Sequence, residues 1–161
     1  MLPLTDQTIR ASLVNASRRE SSDLTLPPGF DDLPWSDLDY LGWRDPRLGK
    51  RSYVVVPGDD GAAPTGILLR EADARPGVRA QCAWCQDVTL PNDVVFFSAK
   101  RRGPAGRNGD TVGTLVCASF ECSANVRRAV PPAYLGFDVD AAREERIAAL
   151  RARASAFAAR V

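Results

Sequence analysis

All four cysteines of the chain fall into two close pairs, a spacing that suits metal binding. Cys82 and Cys85 enclose two residues, Cys117 and Cys122 enclose four, and 31 residues separate the two pairs. Thiolate is a ligand that zinc favours, and two such pairs complete a closed tetrahedral shell. The sequence therefore predicts one structural zinc ion held by Cys82, Cys85, Cys117 and Cys122.

Disulfide formation and thiol exchange are the other uses that these cysteines could have. The N-terminus has neither a charged leader nor an apolar leader segment, and no apolar run approaches the length needed to span a membrane. We therefore expect a cytoplasmic protein without a membrane segment, in which thiols stay reduced, and zinc is favoured over two disulfides. A thiol-exchange role for Cys82 and Cys85 would leave the second pair unexplained, and no βαβ pattern surrounds them.

The segments around the cysteines predict how the metal is framed. Residues 93–100 and 111–116 have strand patterns and form a predicted hairpin, while residues 119–128 have helical composition. Cys122 is therefore expected in the first turn of a helix. A cysteine knuckle, a hairpin and a helix in this order are typical of a treble-clef zinc finger. Trp84 lies inside the knuckle, where it could either shield the sulfurs or face outward.

The remaining segments predict a single domain over residues 1–161. Residues 1–75 are expected to hold a helix capped by Thr5 and ending near Arg19, an aromatic segment wrapped on the core with a helical turn at 36–41, and a hairpin of 51–57 with 66–70. The zinc module is expected at 78–130, with a helix break at Pro131 and Pro132. Together these elements predict an α+β fold, with a treble-clef zinc finger embedded in a small antiparallel sheet domain with N- and C-terminal helices.

A last helix is predicted over 138–161, capped by Asp138 or Asp140. Its apolar residues recur every three or four positions, which favours docking on the domain over a dimer helix, because barely two heptads make a weak coiled coil. We therefore expect a monomer. The predicted docking residues are Ile147, Leu150, Ala154, Phe157 and Val161.

Composition excludes several classes of enzyme. The chain has no histidine, so it has neither a Ser-His-Asp nor a Cys-His nucleophile. A closed four-cysteine site also leaves no open position for substrate water. We expect a protein that is not an enzyme. The net charge is only +1, yet the predicted hairpin loop at 101–110 is rich in arginine and glycine, which suits an acidic or phosphate-bearing partner, with a solvated basic turn as the alternative.

The zinc segment resembles a known family, the C-terminal treble-clef zinc-finger domain of elongation factor G-binding proteins, which includes the FusB-type fusidic acid resistance proteins. The resemblance rests on the two cysteine pairs, the strand at 94–97 leading to Ala99-Lys100-Arg101, and Gly113-Thr114 before Cys117. Residues 33–46 are also similar to stand-alone proteins with this domain. The resemblance implies a zinc domain that binds elongation factor G and, in the resistance proteins, helps to free it from a drug-stalled ribosome. Those proteins also have an N-terminal helical bundle, whereas the first sixty residues here predict one helix.

A partner surface is expected at the strand that leads into the basic loop. Side chains alternate along a strand, so Phe96 shares a face with Ser98 and Lys100, while Phe97 shares the face of Ala99. Phe96 is the preferred exposed aromatic residue. The alternative is direct binding of RNA or DNA by the same basic loop. The predicted partner-binding residues are Phe96, Phe97, Lys100, Arg101, Arg102 and Arg107.

Overall fold

The computed structural model describes residues 1–73, 80–88, 93–129, 132 and 134–161, and it confirms the predicted α+β class. Five antiparallel strands form one sheet in the order in which they occur along the chain. The strands are β1 (Leu41–Arg44), β2 (Arg51–Val56), β3 (Thr65–Glu71), β4 (Val94–Lys100) and β5 (Thr111–Cys117). The helices described are α1 (Asp6–Ser12), α2 (Arg18–Asp23), α3 (Gly103–Arg107), α4 (Cys122–Arg127) and α5 (Val139–Arg160), with single 3-10 turns at Phe30–Asp32, Trp35–Asp37 and Asp59–Gly61.

The centre of the sheet is buried on both faces. Residues 53–56 of β2 and 67–69 of β3 form continuous apolar runs because successive residues point into two different cores. Val54 and Leu69 join the core shared with the zinc module and α5. Tyr53 and Leu68 join a second core, which the N-terminal segment covers. The predicted hairpin of β2 and β3 is confirmed, with Val54 opposite Ile67.

Helix α5 lies where its apolar repeat predicts. Asp138 caps it, because its Oδ1 accepts a hydrogen bond of 2.9 Å from the Ala141 backbone N–H. The five predicted docking residues are all buried in the core that contains the zinc module. Docking on the domain is therefore the correct interpretation of this repeat.

The N-terminal helix is shorter than predicted, and the extension to Arg19 is wrong. Thr5 caps α1 as expected, but the helix stops at Ser12. The Val14 N–H donates to the Gly66 carbonyl at 2.9 Å, and the Asn15 side chain bonds the backbone of β3. Pairing with β3 therefore outweighs local helix propensity, and a second helix, α2, begins after Ser17.

A capping box restarts this second helix, which leads to a stability prediction. The Ser17 hydroxyl accepts from the Glu20 N–H, and the Glu20 carboxylate accepts from the Ser17 N–H at 2.9 Å. Ser17→Ala is expected to lower the free energy of unfolding by about 1 kcal/mol, the usual loss for an N-cap. Urea unfolding would measure it, with the exposed Ser22→Ala as control. Equal effects of the two substitutions would contradict a capping role.

The aromatic segment also differs from prediction at one point. The helical turn predicted at 36–41 is wrong, because a 3-10 turn occupies Trp35–Asp37 and Leu41 begins β1. Leu41 and Trp43 are buried while Gly42 and Arg44 are half-buried, the alternation of a strand. Trp43 is buried and its indole N–H donates to the Thr25 carbonyl at 2.8 Å, whereas Trp35 is half-buried.

Candidate metal centre and partner surface

The four cysteines meet in one buried cluster. Their Sγ atoms all lie within 4.8 Å of one another, and those of Cys82 and Cys122 and of Cys85 and Cys117 are each 3.6 Å apart. Four sulfurs bound tetrahedrally at 2.3 Å from zinc would lie about 3.8 Å apart, so the cluster fits the ion. The contacts are far longer than the ~2.05 Å of a disulfide bond, so none of the four cysteines forms a disulfide. The chain therefore holds one structural zinc.

Two tight turns bring the cysteines together. The turn after Cys82 closes with a hydrogen bond of 3.1 Å from the Gln86 N–H to the Cys82 carbonyl, and the turn after Cys117 closes likewise through the Phe120 N–H at 3.0 Å. Gln86 and Phe120 have φ angles of 53° and 60°. Left-handed backbone is strained for such residues and persists only where the surroundings fix it. Cys122 is the first residue of α4, as predicted.

Trp84 shields the sulfurs, which decides between the two positions expected for it. Only 2% of the residue is exposed. Its indole ring packs edge-on against Tyr40, with ring centroids 4.9 Å apart, and against Phe157 at 5.7 Å. The aromatic residues of the N-terminal segment and of α5 therefore close the metal centre against water.

The electrostatics of the cluster favour a bound cation. Hydrogen bonding with Cys117 lowers the pKa of the Cys82 thiol and raises the pKa of the Cys122 thiol. Burial, followed by the nearby Cys122, raises the pKa of Tyr40 well above its ordinary value, so this phenol stays protonated. Four thiols packed this closely cannot all ionise together on their own, and the charge of zinc allows them to do so.

Polar N–H groups of the chain also point at the sulfurs. The Trp84 backbone N–H donates to the Cys82 Sγ at 3.4 Å, and the Asn125 side-chain amide lies 3.8 Å from the Cys85 Sγ and 3.6 Å from the Cys117 Sγ. The sequence interpretation missed Asn125. Its signal was present, because a residue three positions after Cys122 on a helix lies on the same face.

The two phenylalanines predicted as partner contacts lie on opposite faces of β4. Phe96 is 39% exposed, as preferred, whereas Phe97 is fully buried. Phe97 packs on Phe120 with ring centroids 5.2 Å apart, and the Arg44 guanidinium lies 5.7 Å from its ring centroid. The prediction that Phe97 contacts a partner is therefore wrong, because this side chain belongs to the core.

The Phe96 side chain lies across the neighbouring strand. A Cβ atom at Gly113 of β5 would come within 2.2 Å of the Phe96 ring, so the absence of a side chain at Gly113 gives the ring its place. Gly113 and Thr111 are exposed and Leu115 is half-buried. Among the described residues, the N-terminal segment packs on the β1 to β3 part of this face and leaves the β4 and β5 part open. We call this part, defined by Phe96, Ser98, Lys100, Thr111, Gly113 and Leu115, the open face.

The basic residues predicted beside this surface are all exposed, but they do not form a loop. Residues 103–107 form helix α3, so the loop prediction for 101–110 is corrected. Pro104 favours the first helical turn, and the backbone passes so closely that a Cβ at Gly106 would lie 1.6 Å from the Arg101 carbonyl oxygen. The Arg101 Nε donates to the Arg160 carbonyl at 3.1 Å. The basic groups are Lys100, Arg101, Arg102 and Arg107.

Comparison with known proteins agrees with this geometry. No helix in the described ranges is long and apolar enough to cross a membrane. A search of curated proteins gives no match. The family model described as the FBP C-terminal treble-clef zinc-finger matches residues 8–161. Because this match covers nearly the whole chain and the four cysteines converge as a zinc finger requires, the chain belongs to the FBP C-terminal treble-clef zinc-finger family.

Proposed function

We propose that this zinc protein is a binding protein, not an enzyme, and that its partner is elongation factor G on or near the ribosome. The proposal is supported by membership of the zinc-finger family and by the resemblance of its cysteine and strand motifs to elongation factor G-binding proteins. Such a partner implies a cytoplasmic location. Release of the factor from a fusidic acid-stalled ribosome would be an extension of the same binding.

The observation that carries the proposal is the exposed Phe96 on the hairpin that ends in four exposed cations. An aromatic side chain that is only partly covered by its own chain suits the pocket of a partner, and the exposed basic groups at the end of the same hairpin suit an acidic rim. Lys100 lies on the same face four residues further along β4, about 13 Å away. Helix α3 then places Arg107 on a defined element. The open face therefore combines an apolar anchor with the positive charge of Lys100, and the three arginines lie beyond it at the end of the β4–β5 hairpin.

Binding of purified elongation factor G, measured by calorimetry, tests this proposal. Phe96→Ala is expected to weaken binding by about tenfold or more, because it removes a central aromatic anchor. The matched control is Leu48→Ala. Leu48 is 38% exposed, nearly the same as Phe96, but it lies in the turn between β1 and β2, away from β5. Equal binding by the two variants, or no binding by the unaltered protein, would contradict the proposal.

A matched pair of charge-reversal variants tests how much charge contributes to binding. Arg107→Glu reverses a charge on α3, whereas Arg47→Glu reverses one in the turn between β1 and β2, and both side chains are exposed. Only the first is expected to weaken binding, mainly through slower association and with a smaller effect at high salt. Identical losses for both variants would indicate a general charge effect.

Direct nucleic-acid binding is the second candidate, favoured by the four exposed cations around α3. Here affinity should fall by nearly one power of salt concentration for each phosphate contact, which is roughly 10²-fold between 50 and 200 mM salt for four contacts. A mixed apolar and charged protein interface should respond less. Steep salt dependence with ribosomal RNA, together with no binding of elongation factor G, would replace the first proposal with this one.

A further inference from the structure

Asn125 occupies an unusual position for a buried amide. It is completely buried on α4, one helical turn after Cys122, and its Nδ2 lies 3.8 Å from the Cys85 Sγ and 3.6 Å from the Cys117 Sγ. Its Oδ1 is buried and has no hydrogen-bond partner within the part of the chain described. An unsatisfied buried carbonyl is unfavourable, so an apolar side chain of similar volume would suit this position better if packing alone mattered.

The N–H donors of the Asn125 amide match the two nearby sulfur acceptors in number and in polarity. A side-chain NH₂ group has two N–H donors, and the neighbouring acceptors are two sulfurs, one from each cysteine pair. Those sulfurs are 3.6 Å apart, so as thiolates they repel each other strongly in a buried site. The reversed amide would place its oxygen against both thiolates and add to this repulsion. The donors therefore face the sulfurs.

We propose that Asn125 is a positioning residue of the zinc centre, whose amide donates one hydrogen bond to each of Cys85 and Cys117 and so slows the loss of the ion. The two hydrogen bonds spread the negative charge of the adjacent thiolates and fix the directions of their lone pairs. Helix α4 thereby contributes one zinc ligand, Cys122, and one side-chain amide that joins two of the other three ligands, Cys85 and Cys117. Such partners commonly change metal affinity by about 10- to 100-fold.

Replacement of Asn125 by leucine tests this role in the zinc-loaded full chain. Leucine has a similar volume, and the backbone hydrogen bonds of residue 125 with Glu121, Arg128 and Arg146 do not involve its side chain. Transfer of zinc to a chromophoric chelator is expected to become about 10- to 100-fold faster. In the cobalt-substituted protein, the thiolate-to-cobalt charge-transfer band should move to lower energy, because hydrogen bonds stabilise the sulfur lone pairs.

Ser123→Ala is the matched control on the same helix. Ser123 is buried, and its hydroxyl accepts from the Asp39 backbone N–H at 3.0 Å, so this variant loses a buried hydrogen bond that touches no sulfur. Its zinc transfer rate and cobalt spectrum should match those of the unaltered protein. Unchanged kinetics and an unchanged band in Asn125→Leu would overturn the proposal. If the leucine variant does not fold, the cobalt spectrum of Asn125→Ala decides in the same way.

Discussion

Replacing Cys122 with serine is expected to remove zinc from the protein and to lower its stability strongly. A serine hydroxyl stays neutral at pH 7 and is a poor zinc ligand, so only three thiolates would remain. Zinc binding at structural sites is worth about 10–16 kcal/mol in small zinc-finger peptides, and part of this free energy stabilises the fold. In this chain the zinc ion joins the turn at Cys82, the end of β5 and the start of α4. A loss of several kcal/mol is the expected result.

Metal analysis and thermal unfolding measure these effects. Bound zinc should fall from about one ion per unaltered chain to a small fraction of that. The melting temperature should fall by about 10 °C or more, since 1 kcal/mol corresponds to roughly 2–4 °C in a chain of this size. Treatment of the unaltered protein with a chelator should give the same unfolding curve, because both routes remove the same ion.

Ser119→Ala is the control for the cysteine substitution. Ser119 is exposed and lies between Cys117 and Cys122 in the same turn region. It should keep its zinc and its melting temperature. Full zinc content in Cys122→Ser would show that the fourth ligand is not this cysteine, whereas loss of zinc without any loss of stability would show that the metal does not support the fold.

The sequence predicts the zinc centre well because two close cysteine pairs in one chain match the ligand number and spacing of a structural zinc site. The spacing of Cys82 and Cys85 limits the local backbone to a tight turn, and the helical composition after Ser119 places Cys122 at the start of a helix. The same holds for α5, where an apolar repeat over 22 residues leaves little doubt about the buried face. Strong local sequence patterns therefore suffice to predict the zinc centre and α5.

The errors arise where tertiary contacts outweigh local preference. The first helix ends at Ser12 because Val14 and Asn15 bond the backbone of β3, a partner more than fifty residues away. Strand β1 has only four residues, so its alternation is short, and the predicted helical turn at 36–41 begins at Ser36, a residue type that favours helix caps. The helical spacing after Cys122 places Asn125 on the same helix face as this ligand, but the sequence does not show that Cys85 and Cys117 come within reach of its amide.

Replacement of Asp39 is expected to have the second large effect on stability, and nothing in the cysteine pattern indicates this residue. Its side chain has no exposed surface, yet it carries a carboxylate. The Arg127 guanidinium donates to both carboxylate oxygens, at 2.5 and 3.1 Å, and the Arg151 Nε donates at 2.8 Å. The hydrogen bond with Asp39 raises the pKa of Arg127. One carboxylate thus joins the aromatic N-terminal segment to α4 and to α5.

Asp39→Ala is therefore expected to lower the free energy of unfolding by about 3 kcal/mol, the lower end of the range for breaking a buried ion pair. The lower end applies because Arg127 and Arg151 are 24% and 59% exposed and can turn partly to water once the carboxylate is gone. Urea unfolding at low and high salt would measure the loss. It should persist at high salt, because buried charges are screened weakly.

Asp37→Ala separates the buried ion pairs from a general effect of removing an acid from this segment. Asp37 lies two residues away in the preceding 3-10 turn and is exposed, so its replacement should change stability by less than about 0.5 kcal/mol. Both aspartate variants should retain zinc, unlike Cys122→Ser, because neither residue contacts a sulfur. Equal stability of the two aspartate variants would show that the ion pairs of Asp39 contribute nothing to the fold. A large difference in stability between the two variants would show that buried charge, as well as aromatic packing, holds the N-terminal segment against α4.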